Sequence, residues 1–463
     1  MSNVTLQFLG ATQTVTGSRF LISTGESKVL VDAGLFQGTR ETKALNWEPF
    51  PVDPTTINSI LLTHAHLDHC GFIPLLVKQG FSGKIFCTQY TRDLAEVVLL
   101  DSAHIQEEDA KFADRRGYSS HKPALPLYTI ADAQVAVKLF EVIDFREPVA
   151  VSTDVTATFH PSGHILGSSF VDITAASKRF LFTGDLGRPQ HPALIPPDAI
   201  PAGPFDAIVT ESTYGDRVHD TPTSDFADVI NQTAKRGGTI LIPAFAVDRT
   251  EVILMKLREL VEAREIPQLP IYVDSPMALT SLKYYRDAID AHAPEIRDDV
   301  ATQWQGRDPF DAGQLHEMRT VEESKSLNDI HGANIIVSAS GMASGGRVVH
   351  HLAQLLPSDK NTVLLVGYQA IGTRGRQLAD GQESVTIHGE TVPVRAQITK
   401  VEAFSVHADG DELTNWLGTT NSPGVVYVVH GEPKSADTFA KRLHDDLGWN
   451  AIVPSPNEIV SIA

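Results

Sequence analysis

Three histidines and an aspartate fall within six positions in Thr63-His64-Ala65-His66-Leu67-Asp68-His69, directly after the apolar run Ser59 to Leu62. Residues two apart at the end of an extended run project to the same side. His64 and His66 can therefore face one metal ion, while Asp68 and His69, where a helix would begin, can serve a second beside it. Paired metals about 3.5–4 Å apart are the apparatus of hydrolases that hold both the attacking and the leaving oxygen. A single structural zinc explains the run less well, because such sites favour cysteine and close their coordination shell. The chain has only Cys70 and Cys87.

Four more ligand-type residues stand where strand-like runs end. Asp32 follows Val29 to Val31, and His164 lies in Pro161-Ser162-Gly163-His164-Ile165-Leu166-Gly167-Ser168. Asp185 follows Phe180 to Phe182 in Thr183-Gly184-Asp185, and His430 follows Val425 to Val429. Singly, such residues are turn formers or ordinary core and surface histidines. With the opening run, and in this order, they make a ligand set.

The elements that must position them are short β-like runs between Val4 and about Ala207: Val4 to Leu9, Phe20 to Ser23, Lys28 to Val31, Ser59 to Leu62, Lys84 to Cys87, Ala157 to Phe159, Phe170 to Ile173 and Arg179 to Phe182. Two layers of sheet covered by helices suit this pattern. Thr91 to Tyr118 reads as a polar helix, His121 to Pro126 as a fixed crossing, and Ile130 to Phe140 as a second helix. Beyond Ala207, strand and helix alternate: Gly238 to Pro243 then Arg249 to Arg264, Ile271 to Val273 then Leu279 to Asp290, Asn334 to Ser338 then Gly346 to Leu356, and finally Thr362 to Val366. That alternation predicts a parallel α/β unit of its own. From about Gly381 short strands return, at Pro393 to Val401 and Val425 to His430, with a helix at Ala436 to Leu447 and a last strand at Ile459 to Ile462.

A chain of 463 residues fits two or three domains. Nothing in it reads as a signal peptide or a membrane span, and two cysteines suit a reducing cytosol. The expectation is a soluble, cytoplasmic protein. A net charge of −19 argues against coating nucleic acid by bulk electrostatics, although bound divalent cations offset part of it and a local basic groove is compatible with it. Acidic composition also allows a homodimer without requiring one.

In this order the residues resemble the metallo-β-lactamase superfamily. Glu211-Ser212-Thr213-Tyr214-Gly215, Phe404-Ser405-Val406-His407-Ala408-Asp409 and Val429-His430-Gly431-Glu432 are similar to motifs A, B and C of its β-CASP nucleases of RNA processing. The run at 63 to 69 looks like the branch containing the nuclease subunit of the cleavage and polyadenylation machinery and its bacterial and archaeal relatives. The fold implied is α/β: an αββα sandwich built from residues 1–209 and 381–463, interrupted by a Rossmann-like β-CASP domain over 210–380. The resemblance further implies two zinc ions per chain, one held by His64, His66, His164 and Asp185, the other by Asp68, His69, Asp185 and His430. Asp185 would bridge, since a carboxylate has two oxygens to share. Asp32 then reads as a support that accepts an imidazole N–H and fixes a ligand's tautomer.

The implied activity is hydrolysis of RNA phosphodiesters on single-stranded RNA in the cleft between the domains, by endonucleolytic cutting, with 5′ to 3′ exonucleolytic cutting left open. A metal-bridging hydroxide would attack phosphorus, His407 would protonate the leaving oxygen, and Glu211 would orient and charge His407. Ser338, Ser340 and Gly341, leading to Gly345-Gly346-Arg347, resemble the family's glycine-rich turn; Ser405, Arg374 and Arg376 are further candidates for an RNA phosphate. Asp248 departs from the pattern, where close relatives would carry glycine. It reads as a helix N-cap, or, facing the cleft, as a charge that weakens RNA binding.

Rival readings are a thioester hydrolase or a DNA nuclease on the same sandwich, and a non-catalytic RNA-processing scaffold. The long α/β stretch and the two late histidine motifs argue against the first. Histidine at motif C, where the DNA-repair branch carries valine, argues against the second. The filled ligand positions argue against the third.

Overall fold

The computed structural model describes residues 4–116, 122–219 and 224–462. They form two compact units, Met1–Val218 with His407–Ala463, and His219–Val406.

In the first unit, inner strands buried throughout, such as Ser59–Leu61 and Ala207–Thr210, and alternating strands, such as Val4–Phe8 and Val155–Pro161, build two seven-stranded sheets. One runs, edge to edge, Ile459–Ile462, Val4–Phe8, Phe20–Ser23, Lys28–Val31, Ser59–Leu61, Lys84–Cys87 and Phe140–Val142. The other runs Ala451–Ile452, Val425–Val428, Ala207–Thr210, Lys178–Phe182, Ser169–Ala175, Val155–Pro161 and Pro148–Ser152. Their inner faces share one core, with Val4, Leu6 and Phe8 on one side and Phe159, Val171, Ile173, Phe180 and Tyr427 on the other. Phe8 meets Tyr427 at 4.9 Å and Phe20 meets Phe182 at 6.0 Å between ring centroids, which knits the layers into a sandwich. Helices Gly410–Leu417 and Pro433–Leu447 cover the outer face of the second sheet, burying Leu413, Leu417, Phe439 and Leu443 against Leu181, Ile208 and Val426. The expected αββα sandwich is present.

The parallel pairing of Ala207–Thr210 with Val425–Val428 puts strands more than two hundred residues apart in the chain side by side. Between them the second unit folds around a six-stranded parallel sheet, in the order Leu315–Glu317, Ile271–Val273, Asn334–Ser338, Thr239–Pro243, Thr362–Leu365 and Gln397–Lys400. The α/β alternation in the sequence is therefore correct. Its limits are not. The unit starts at His219 rather than 210 and ends at Val406 rather than 380, because Gln397–Lys400 adds to the sheet edge and the hairpin Ser384–Ile387/Glu390–Pro393 buries Val385, Ile387 and Val392 in the same core. The single strand expected over Pro393 to Val401 is thus two.

The helix expected to Phe140 stops at Val137. Phe140 instead opens an edge strand parallel to Lys84–Cys87. The long polar helix is Gln89–Arg116; the expected continuation to Tyr118 and the start of the crossing at His121 lie outside the described residues. No helix among the described residues is long and apolar enough to cross a membrane.

Phe159, fully buried between the two sheets, gives a direct measure of this core. Phe159→Ala is expected to lower unfolding stability by about 3–5 kcal/mol in denaturant titration, the usual cost of removing a buried ring. A loss under about 1 kcal/mol would contradict the shared-core packing.

Candidate metal centre

Every candidate ligand sits just past the carboxyl end of a strand of the sandwich. Asp32 follows Lys28–Val31, the run 63–69 follows Ser59–Leu61, His164 follows Val155–Pro161, Asp185 follows Lys178–Phe182, Glu211 follows Ala207–Thr210, and His430 follows Val425–Val428. The two sheets are tied together there, since the N–H and hydroxyl of Ser169 both donate to Thr63 O at 2.9 Å. Two glycines allow the loops to close up. A Cβ on Gly34 would lie 1.6 Å from Asp68 O, and one on Gly187 would lie 2.0 Å from Gly163 O. Side chains at either position would push the Asp32 turn off the 63–69 loop, or the Asp185 loop off the His164 loop.

The side chains converge in two sets. Nε2 of His64 and Nε2 of His164 lie 3.2 and 3.3 Å from Nδ1 of His66. Asp185 Oδ2 is 3.4 Å from the former nitrogen and 3.6 Å from the latter. In the second set, His69 Nε2 is 3.2 Å from His430 Nε2 and 3.3 Å from Asp185 Oδ1, and Asp68 Oδ2 is 3.5 Å from His430 Nε2. Asp185 thus turns one oxygen to each set.

These spacings suit coordination better than a web of hydrogen bonds. Donors bound to one ion at about 2.0–2.1 Å in a tetrahedron stand roughly 3.3–3.4 Å apart. His66 Nδ1 is a single atom facing two ring nitrogens, and one proton cannot satisfy both. The tautomer of His64 is fixed independently. Thr63 Oγ1 donates to Asp32 Oδ2 at 2.9 Å, so toward His64 Nδ1, at 3.0 Å, it can only accept. That leaves a lone pair on His64 Nε2, aimed into the first set. Asp32 also accepts from the Thr63 N–H at 2.8 Å and from His69 Nδ1 at 2.7 Å, which sends the Nε2 of His69 into the second set. Asp32 is therefore a buried support for two rings rather than a member of either set. Three imidazoles and a carboxylate in one set, and two imidazoles and a carboxylate in the other with an Asp185 oxygen beside them, are a donor set for divalent metal ions.

Electrostatics agree. Burial pushes His64 down to about 3 and His66 down to about 4, and burial together with His407 holds His164 well below the ordinary histidine value. These rings stay neutral and keep lone pairs for a metal. Burial alone would raise Asp185, but His430, His69 and His64 hold it well below the usual carboxylate range. Asp68 is likewise held low, against burial, by the hydrogen bond from His430 and the charge of His69. His69 is the exception: burial opposes its charge, yet Asp185 and Asp32 raise it well above its ordinary value.

A third grouping, Asp185, Glu211 and His430, also brings one atom from each within 4.8 Å of the others. Glu211 is otherwise engaged. Its Oε1 accepts the Leu186 N–H at 2.6 Å, and its two oxygens stand 3.0 and 3.3 Å from Nδ1 of His407. The Glu211–His407 pair thus lies directly beside the two sets, with the His407 and His164 ring centroids 4.4 Å apart.

The residues nominated for phosphate contact all belong to the second unit, where most have internal partners. Ser338 donates its hydroxyl to Asp274 O at 2.9 Å, Arg374 is held by Ala343 O at 2.6 Å and Thr386 O at 3.2 Å, and Arg376 pairs with Asp380 at 2.9 Å. Ser340 Oγ accepts the Ser344 N–H, and Gly341 is pressed against the Phe245 ring. The Ser405 hydroxyl is buried without a hydrogen-bond partner. Asp248 takes the N-cap position of helix Arg249–Glu262 but makes no capping bond; it is fully buried and accepts from Tyr285 OH at 2.5 Å. The expected N-cap position is therefore borne out, with the side chain turned to Tyr285. Sequence reasoning also passed over the supporting hydroxyls. Thr63 stands inside the quoted run, and Ser168, which accepts the N–H groups of His164 and Ile165 at 3.0 and 3.1 Å, closes the His164 loop. Only their adjacency to ligands hinted at either.

His69 supplies a pH test. Its folded value lies above its unfolded one, so in metal-stripped protein it contributes stability that is fully present below the ordinary value near 6.5 and lost as pH rises through the raised value. Metal must displace that proton. Zinc uptake at neutral pH is expected to release about one proton per chain from this ring, with affinity rising as pH rises. Calorimetric titration in buffers of different ionisation enthalpy checks this, and uptake without proton release would contradict the assignment of His69 to the second set.

Comparison with known proteins bears on the same residues. Three family models match the chain: the metallo-β-lactamase superfamily over 15–232, the Beta-Casp domain over 250–378, and the Zn-dependent metallo-hydrolase RNA specificity domain over 391–454. Ribonuclease TTHA0252 of Thermus thermophilus is 34% identical over 437 residues, covering 94% of each chain. Transcription termination factor FttA of Pyrococcus abyssi is 31% identical over 479 residues, covering 96% of this chain and 69% of that one. A crystal structure of a protein of unknown function from Enterococcus faecalis shares the fold over 99% of this chain and 100% of its own, at a TM-score of 0.52 and 12% identity. With the family's divalent-metal chemistry matched by two converging histidine and aspartate sets, the chain belongs to the metallo-β-lactamase superfamily, in its β-CASP nuclease branch.

Proposed function

We propose that this protein is a dinuclear zinc ribonuclease that hydrolyses single-stranded RNA, with His407 as general acid and Glu211 as its orienting carboxylate. The observation that carries the reading is the placement of the Glu211–His407 pair against two ligand sets that share Asp185. His64, His66, His164 and Asp185 would hold one ion, and Asp68, His69, His430 and Asp185 the other. Bound there, divalent cations supply Lewis-acid chemistry, offsetting charge on the phosphodiester and lowering the pKa of water.

The chain's own residues supply the proton. Glu211, fully buried, meets Nδ1 of His407 at 3.0 Å, so that nitrogen is committed to the carboxylate and proton delivery falls to Nε2. The carboxylate also fixes the ring's orientation and offsets its charge when protonated. His407 keeps 15% of its side chain exposed against 0% for Glu211, as a donor that must reach a substrate requires. Transfer from Nε2 to the leaving 3′ oxygen would yield a 3′ hydroxyl and a 5′ phosphate. Relatives named as a ribonuclease and as a transcription termination factor support RNA as the substrate. Cys70 and Cys87 are buried free thiols, both pushed up by burial, which accords with a reducing cytoplasm.

His407→Ala separates proton delivery from metal binding. Both ions and RNA affinity are expected to survive while turnover of end-labelled RNA falls about 10²–10⁴-fold, the usual worth of a placed proton donor. Loss of an ion in this variant would move His407 among the ligands. Equal cutting of matched single-stranded DNA would overturn RNA as the preferred substrate.

A further inference from the structure

We propose that Thr213 is a positioning residue that locks His430 in the tautomer protonated on Nδ1, thereby presenting the Nε2 lone pair to the second ion. The inference rests on the reading of His430 as a ligand and concerns a hydroxyl that this reading leaves without a role.

Thr213 and His430 are both buried, and Thr213 Oγ1 lies 3.1 Å from His430 Nδ1 and 3.2 Å from the backbone oxygen of the same residue. A carbonyl oxygen only accepts, so both contacts are hydrogen bonds together only when the hydroxyl donates to it and accepts from the ring. In that arrangement Nδ1 carries hydrogen. Asp185 Oδ1, 3.5 Å from the same nitrogen, favours the same state. The opposite ring nitrogen, Nε2, is the one that stands 3.2 Å from His69 Nε2 and 3.5 Å from Asp68 Oδ2. A neutral imidazole in water prefers its proton on Nε2, so without Thr213 the ring would turn a proton toward the ion's place.

The arrangement repeats the one at His64, where Thr63 donates to Asp32 and accepts from Nδ1. Two threonines, one on each sheet, thus do for two rings what carboxylates do at many metal sites. The backbone keeps Thr213 in place. The His430 N–H donates to Ala11 O at 2.7 Å, the Ser212 N–H donates to His430 O at 3.2 Å, and Ser212 Oγ donates to Val429 O at 2.8 Å. Gly431 adjoins Ser212 so closely that a Cβ there would fall 2.2 Å from its hydroxyl oxygen. The strand ends carrying Thr213 and His430 cannot slide apart without breaking these contacts.

The test uses the full-length chain, ¹⁵N-labelled at histidine, with zinc as the probe. In the wild type, metal-stripped or zinc-loaded, the His430 ring, identified by its absence from His430→Ala spectra, is expected to carry its proton on Nδ1. Thr213→Val, which keeps the shape and removes the hydroxyl, is expected to shift that ring toward the Nε2-protonated form. It should also weaken the second zinc about 10- to 100-fold in chelator competition, leaving the first ion unchanged. Thr213→Ser should restore both. A wild-type His430 ring protonated on Nε2 overturns the inference even if Thr213→Val fails to fold. So does a Thr213→Val protein with unaltered tautomer and zinc affinity while His430→Ala still loses one ion. If His430→Ala keeps two ions, the ligand assignment itself falls.

Discussion

A single carboxylate, fully enclosed, stands at the junction of two groups of imidazoles. Asp185 turns Oδ2 toward His64 and His164 and Oδ1 toward His69. A buried carboxylate without compensation is costly, so the rings around it are as necessary to Asp185 as it is to them. The rest of the sandwich serves to bring them together. Within each sheet the strands that lead into these residues run the same way, and the chain leaves after Ala207–Thr210 and re-enters the first unit at His407, before Val425–Val428, which brings His407 and His430 to Asp185. In sequence, the second unit, His219–Val406, lies between those two neighbouring strands.

Holding so many polar groups in one place has a conformational cost. Asp32 and His430 both adopt left-handed backbone, at φ +58° and +48°, a region that costs a non-glycine residue about 1 kcal/mol or more. Each is over-determined by its neighbours. The Asp32 N–H donates to Leu61 O and its side chain takes three hydrogen bonds, while the His430 N–H is held by Ala11 O. Strain at two strand ends, offset by hydrogen bonds from three other segments, is how the sandwich aims a support on one sheet and a ligand on the other.

Much of this was legible in the sequence, because metal ligation constrains residue type and spacing together. The run at 63 to 69, the strand-end positions of His164, Asp185 and His430, and the strand–helix alternation after Ala207 all carry their meaning locally. What was not legible depends on partners distant in sequence. Nothing local says that Gln397–Lys400 joins Thr362–Leu365, so the second unit seemed to end too early. Phe140 reads as the end of a helix until Lys84–Cys87 is known to lie beside it. Asp248 stands where a cap is expected, but Tyr285, thirty-seven residues on, draws its side chain inward. Arg374 has the composition of a phosphate contact and the geometry of a brace across its own unit. Supporting hydroxyls such as Thr63 are invisible for another reason: serine and threonine are common, and only distances separate those that set a tautomer from the rest.

The proposed centre depends on Asp185 facing two ions. Diffraction from crystals grown with zinc, recorded at the zinc absorption edge, tests this most directly. The expected result is two anomalous peaks about 3.5–4 Å apart, one ringed by His64, His66 and His164, the other by Asp68, His69 and His430, with one Asp185 oxygen on each. A single peak, or a second peak bound by Glu211 in place of Asp185, would contradict it.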